Sequence, residues 1–161
     1  MCTRLSCEEI FQLAISHTRS TMNLNLGGPF GAAITDEDGQ VIAVASNTVI
    51  GDQDPTAHAE INAIRAAAKL RGSYDLSGCT LYATAYPCPM CLSAIIWANI
   101  RTVYYGCDAK DAASIGFRDD DIYDFIRTGM DKSDILSLET CHREKCLQLF
   151  SEYATSDKLI Y

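Results

Sequence analysis

The chain reads as an α/β protein built on a layered sheet. Short β-rich runs alternate with segments of helical periodicity, and an Asp-Gly turn joins two of the runs into a hairpin that adds an antiparallel edge. The 161 residues, 48% of them apolar, suit one domain with an ordinary packed core.

The elements follow in order. Ser6 with Glu9 three residues later is a capping box, and Ile10, Leu13, Ala14 and His17 recur at helical spacing, which predicts a helix from Cys7 to about Asn23. Gly27-Gly28-Pro29 stops it. Ala32-Ala33-Ile34 and Val41-Ile42-Ala43-Val44-Ala45 flank an acidic turn over 36–40 and predict the hairpin, with Asn47 just past its second strand. Asp54-Pro55-Thr56 predicts the next helix start, because Asp or Thr can cap and Pro fits the first turn. That helix continues through Ile61, Ile64, Ala67 and Ala68 to about Leu70, and Gly72 ends it. Residues 79–84 are β-rich and lead straight into Pro87-Cys88-Pro89, where a third helix begins that carries Leu92, Ile95 and Ile96 inward. Residues 101–106 predict a strand, 121–127 a short helix, 135–138 a strand, and 143–154 a final amphipathic helix. No repeat, low-complexity tract or linker interrupts the run.

The net charge of −8 argues against a polyanionic substrate, since gripping phosphates takes clustered Lys and Arg. Here the 13 basic residues are spread thinly and the region 108–124 is markedly acidic. No nucleic-acid partner is expected. No stretch is long enough to span a membrane, and no apolar run follows a basic start, so the eight cysteines are read as reduced thiols of a cytoplasmic protein.

The chemistry concentrates in two motifs. His58-Ala59-Glu60 and, further on, Pro87-Cys88-Pro89-Met90-Cys91 supply an imidazole, two thiols and a carboxylate, the pattern of zinc-dependent base deaminases. Cys88 and Cys91 lie three apart and can reach one ion from a single helical turn, whose free N–H groups favour thiolate. His58 is expected in the first turn of the preceding helix. Three ligands leave a fourth position on zinc for water, whose pKa the ion can bring to about 7. The resulting hydroxide would attack an amino-bearing ring carbon while Glu60 carries protons to the ring nitrogen and the departing amine. Ideal helix geometry places His58 and Glu60 about 200° apart, so their convergence requires a cavity that wraps the helix start. The competing reading is a structural zinc closed by Cys79, Cys107, Cys141 or Cys146, which leaves Glu60 without a task.

These residues resemble the cytidine-deaminase-like zinc superfamily, and within it the bacterial-type guanine deaminases. The resemblance covers nearly the whole chain: Gly27 to Ala32, Asn47, Asp54 to Glu60, Pro87 to Leu92, Ala94-Ile95, Trp97-Ala98, Asp111 to Ala113, Gly116-Phe117, Ile122-Tyr123 and Tyr161. It implies a three-layer α-β-α sandwich with a five-stranded mixed sheet, one Zn2+ per subunit, and a homodimer that hydrolyses guanine to xanthine and ammonia. It also implies that the C-terminal segment, about 143–161, is exchanged between subunits and closes the pocket with Tyr161. By position, Asn47 would hydrogen-bond the purine, Phe30 would pack on its face, Asp119 would bind the base and assist proton transfer, and Ala59 and Glu60 would line the metal side. Guanine deaminases commonly carry Glu before the Pro-Cys-Pro-Met-Cys run, where this chain has Tyr86. A related base or nucleoside (guanosine, an aminotriazine, cytosine), a tRNA adenosine, and a zinc-stabilised binding module without activity are the alternative readings.

Overall fold

Ser6 caps the first helix as its sequence requires. In the computed structural model, which describes residues 4–130 and 134–160, the Glu9 backbone N–H donates to Ser6 Oγ at 3.2 Å and the Ser6 N–H donates back to Glu9 Oε2 at 2.7 Å. Helix α1, Cys7–Asn23, grows from this box and buries Ile10, Ala14 and Thr18 at four-residue spacing.

The chain forms two compact units, Met1–Asp124 and Phe125–Tyr161. The first holds strands β1 (Gly31–Thr35), β2 (Val41–Ser46), β3 (Thr80–Ala85) and β4 (Thr102–Cys107) in the order β2-β1-β3-β4. β1 is antiparallel to both its neighbours, whereas β3 and β4 run parallel, so the sheet is mixed. The hairpin turn is closed by Asp36, whose Oδ1 accepts from the N–H groups of Asp38 and Gln40, and by Gly39 at φ 77°.

Period-two alternation on the central strands divides the core. Ala32 and Ile34 join Ala43, Ala45, Leu81 and Ala83 with the helices α3 (Ala59–Arg71) and α4 (Pro89–Trp97), while Ala33 and Tyr82 face α1. Helices therefore cover both faces. Ala59, Ala63 and Ala67 are the alanines α3 turns inward, which brings its backbone close to the sheet, while Ile61 and Ile64 are only partly buried. Ile34 and Leu81 are fully buried and contribute about 1.5–3 kcal/mol each relative to exposure.

Several expectations are corrected. Among the described residues the sheet has four strands, not five. The stretch 135–138 is a turn followed by irregular chain with Ile135, Leu136 and Leu138 exposed, and its three apolar residues around Ser137 are too few to set a strand period. Helix α3 begins at Ala59 rather than at Asp54, because Asp54 spends its carboxylate on the N–H and hydroxyl of Thr56 and closes a local turn. Ile96 points outward at 66% exposure, and Trp97 beside it at 70%. Two short helices were not expected: α2 (Val49–Asp52) and α5 (Ala109–Ser114), the latter started by a reciprocal cap between Asp108 and Asp111. α6 spans Asp119–Arg127 and α7 Arg143–Ala154, the second burying no residue. Among the described residues no helix is long and apolar enough to cross a membrane.

Candidate metal centre and substrate cavity

Two helix starts make the site. His58 is the N-cap of α3 and Cys88 the N-cap of α4, both in extended backbone, at ψ 157° and ψ 167°. An N-cap side chain does not follow helical periodicity, so the 200° separation expected of His58 and Glu60 does not apply. Pro89 occupies the first turn of α4, where no N–H is missed, and sets Cys91 over the same turn.

The three side chains converge. His58 Nδ1 lies 3.6 Å from both Cys88 Sγ and Cys91 Sγ, and one ligand atom from each residue falls within 4.8 Å of the others. Among the described residues this group contains no fourth cysteine. Cys79, one candidate for closing the site, is instead buried beside Arg71, whose Nη1 donates to its sulfur at 3.4 Å. One imidazole and two thiols are a donor set that zinc takes, and the residues present fit that ion with a position to spare.

Glu60 follows in the first turn of α3, only 7% exposed, with Oε2 accepting from Cys91 Sγ at 3.4 Å. Burial pushes its carboxyl up to about 7. The two thiols compete for a proton: the bond from Cys91 pulls Cys88 down to about 4, and the same bond, with burial, holds Cys91 up. The Cys88 thiol is also the first cause of a raised His58 pKa.

A cavity of about 350 Å³ opens onto these groups, the size of a small-ligand pocket. Phe30 and Phe117 form one wall, their rings edge-to-face with centroids 4.7 Å apart. Asn47, 5% exposed, is held by two backbone donors: Gly28 N–H and Val49 N–H each reach its Oδ1 at 3.2 Å. With the oxygen committed, the amide keeps Nδ2 as its donor end. A Cβ on Gly27 would run into the Asn47 carbonyl, so the loop before β1 closes on Asn47 only with glycine there. Asp119, at the start of α6, lines the cavity with its carboxyl raised chiefly by burial.

Of the residues singled out in the sequence, His58, Glu60, Cys88, Asn47, Phe30 and Asp119 thus surround one cavity, with Cys91 behind them. Ala59 packs into the core and is not part of the described lining. Tyr161 lies outside the described residues. Sequence reasoning gave no wall role to Phe117, named only within the Gly116-Phe117 match, or to Arg118, whose only signal was its place directly before Asp119.

A family model described as the cytidine and deoxycytidylate deaminase zinc-binding region matches residues 6–107. The chain belongs to that family. Guanine deaminase of Bacillus subtilis (strain 168) is 47% identical over 116 residues, 72% of this chain and 74% of that protein. The X-ray structure of a Bacillus subtilis guanine deaminase superposes with a TM-score of 0.86 at 38% identity, covering 98% of this chain and 99% of that one. A structure solved with 2,6-diaminopurine is 33% identical with a TM-score of 0.66, over 70% of this chain and 62% of that one. A tRNA-specific adenosine deaminase of Haemophilus influenzae is 40% identical over 56% of this chain and 52% of that protein. His58, Cys88 and Cys91 are positioned to hold a metal ion within the zinc-binding region of the family.

Proposed function

We propose that this protein hydrolyses the exocyclic amino group of a free aminopurine, guanine and water giving xanthine and ammonia. One observation carries the reading: a buried carboxylate, Glu60, lies against a His-Cys-Cys group at a cavity with an aromatic wall and a fixed amide donor. The likeness to guanine deaminase over nearly the full chain supports it.

His58, Cys88 and Cys91 would hold zinc, which when bound makes water nucleophilic at neutral pH. Glu60 would take a proton from the attacking water and give it to the ring nitrogen, then carry the proton of the added hydroxyl to the amino group, so that ammonia leaves neutral. Asn47 donates from Nδ2 to an acceptor on the ring, Phe30 packs on its face, and Asp119 orients the base and assists the proton transfers. The resemblance would also set Ala59 along the metal side and Tyr161 over the pocket. A homodimer accounts for Ile96 and Trp97 on α4 and Tyr104 and Tyr105 on β4, all at least half exposed. Exchange of the segment 143–161 between subunits would cover α7, where Leu149 and Phe150 are 68% and 73% exposed.

The test is ammonia release over guanine, guanosine, adenine, cytosine and an aminotriazine. Guanine is expected to be the best substrate; no release from any of them returns the protein to the binding-module reading. The tRNA reading draws on the Haemophilus influenzae relative, but the net charge of −8 stands against it. RNA retention that weakens steeply with salt would revive it.

A further inference from the structure

We propose that Tyr86 is a specificity-determining residue, whose phenol forms the hydrogen-bonding wall of the cavity beside the metal ligands and selects among amino-heterocycles by the donor or acceptor they present to it. The inference rests on the deaminase reading of the cavity.

Tyr86 lines the cavity two residues before Cys88 and takes no part in the chemistry described above. It is fixed from three sides. Its backbone N–H donates to the Cys107 carbonyl at 2.8 Å, continuing the β3–β4 pairing one step past the strand. Its ring meets Tyr105 edge-on at a centroid distance of 5.0 Å and tilts against Tyr123 at 5.9 Å. Tyr123 is itself tied to the loop that carries the ligands, its hydroxyl donating to the Pro87 carbonyl at 2.5 Å. A side chain held this way meets substrate in one orientation, which is what discrimination by hydrogen bonding requires.

The remaining lining explains what the phenol adds. Phe30 and Phe117 are apolar, Asn47 and Arg118 offer donors, and the carboxyl oxygens of Glu60 and Asp119 offer acceptors. A phenol hydroxyl both donates and accepts, and the Tyr86 side chain already shares one hydrogen bond with that of Tyr123, so the remaining capacity is what a substrate ring edge can use. The hydrogen bond to Tyr123 holds the hydroxyl in place beside the ligand loop, and Tyr86 belongs to neither buried core cluster. A site that pairs a substrate group by hydrogen bonding rejects the analogue lacking that group far more strongly than an apolar wall does.

The experiment compares zinc-loaded wild type with Tyr86→Phe, Tyr86→Glu and, as a ring-preserving control outside the cavity lining, Tyr105→Phe. Ammonia release is measured with guanine and 2,6-diaminopurine, and the affinity for 8-azaguanine is measured by calorimetry. Zinc content and Tm are expected to hold in Tyr86→Phe, while KM changes more than kcat. The ratio of kcat/KM between the two bases should move at least about fivefold in one of the two Tyr86 variants and not in Tyr105→Phe. Should both variants leave that ratio and the 8-azaguanine affinity closer to wild type than this, or should Tyr105→Phe shift them equally, the proposal falls. If wild type releases no ammonia yet its 8-azaguanine affinity depends on the Tyr86 hydroxyl, the deaminase reading fails and the role of Tyr86 in selection stands. No binding to wild type overturns both.

Discussion

Glu60 Oε2 sits 3.4 Å from Cys91 Sγ, although the two residues are 31 positions apart in the chain. The contact ties the proton-carrying group of α3 to the ligand pair of α4, so the carboxylate is placed by the metal site and not by substrate. Glu60→Gln keeps the shape and removes the titrating oxygen. Turnover is expected to fall at least about a hundredfold with zinc content and Tm near wild type, as ammonia release, metal analysis and thermal melts would show. Unchanged ammonia release would remove Glu60 from its assigned role.

Removing the ion should cost both activity and stability. Chelation is expected to abolish ammonia release and lower Tm, with both restored by added Zn2+, since an ion that binds only the folded chain stabilises it by mass action. His58→Ala should bring zinc below one per chain while leaving the far-UV spectrum intact, because α3 draws no side-chain cap from His58. A variant that retains full zinc would show that the imidazole is not a ligand.

Asn47 separates folding from recognition. Asn47→Asp keeps an oxygen for the N–H groups of Gly28 and Val49 but deletes the Nδ2 donor. Steady-state kinetics should therefore show a KM raised at least about tenfold with Tm little changed. Asn47→Ala strands two part-buried donors as well and should lose stability too, by about 1–3 kcal/mol in denaturant titrations.

Acid should destabilise the first unit through carboxylates that the fold favours ionised. Glu9 is held below its ordinary 4.5 by the N–H and then the hydroxyl of Ser6, and Glu37 chiefly by its hydrogen bond from Arg71. A folded pKa lower than the unfolded one gives stability that is complete above about 4.5 and drains away as pH falls through the folded value. Tm measured from pH 7 downward should thus hold until about pH 5 and then decline. Ser6→Ala should cost about 1 kcal/mol at neutral pH and flatten the decline.

Deleting the last residues through Tyr161 should lower kcat/KM much more than Tm if the C-terminal segment closes a pocket, an outcome read from kinetics and melts on the same preparation. An unaffected kcat/KM would discard the closure.

Much of this architecture was legible from residues alone, and where it was not the cause is local. The first helix was legible at its start because Ser6 and Glu9 form a reciprocal cap that depends on nothing distant. The start of α3 was misjudged because Asp54 could cap a helix or close a turn on Thr56, and only the packed loop shows that it does the second. The metal group was readable because its spacing is chemical, whereas the aromatic wall needed Phe30 and Phe117 to meet across 87 positions of sequence. The stretch 135–138 failed as a strand because three apolar residues broken by Ser137 are too few to set a period.

His58 and Cys88 both stand at the junction where extended chain turns into helix. The coordination sphere is consequently written in backbone punctuation, and the bodies of the two helices behind it are free to drift in composition. An insertion within α3 or α4 beyond its first turn should be tolerated by the ion far better than a single residue added to either junction, and metal uptake thereby becomes a gauge of whether those two corners have formed.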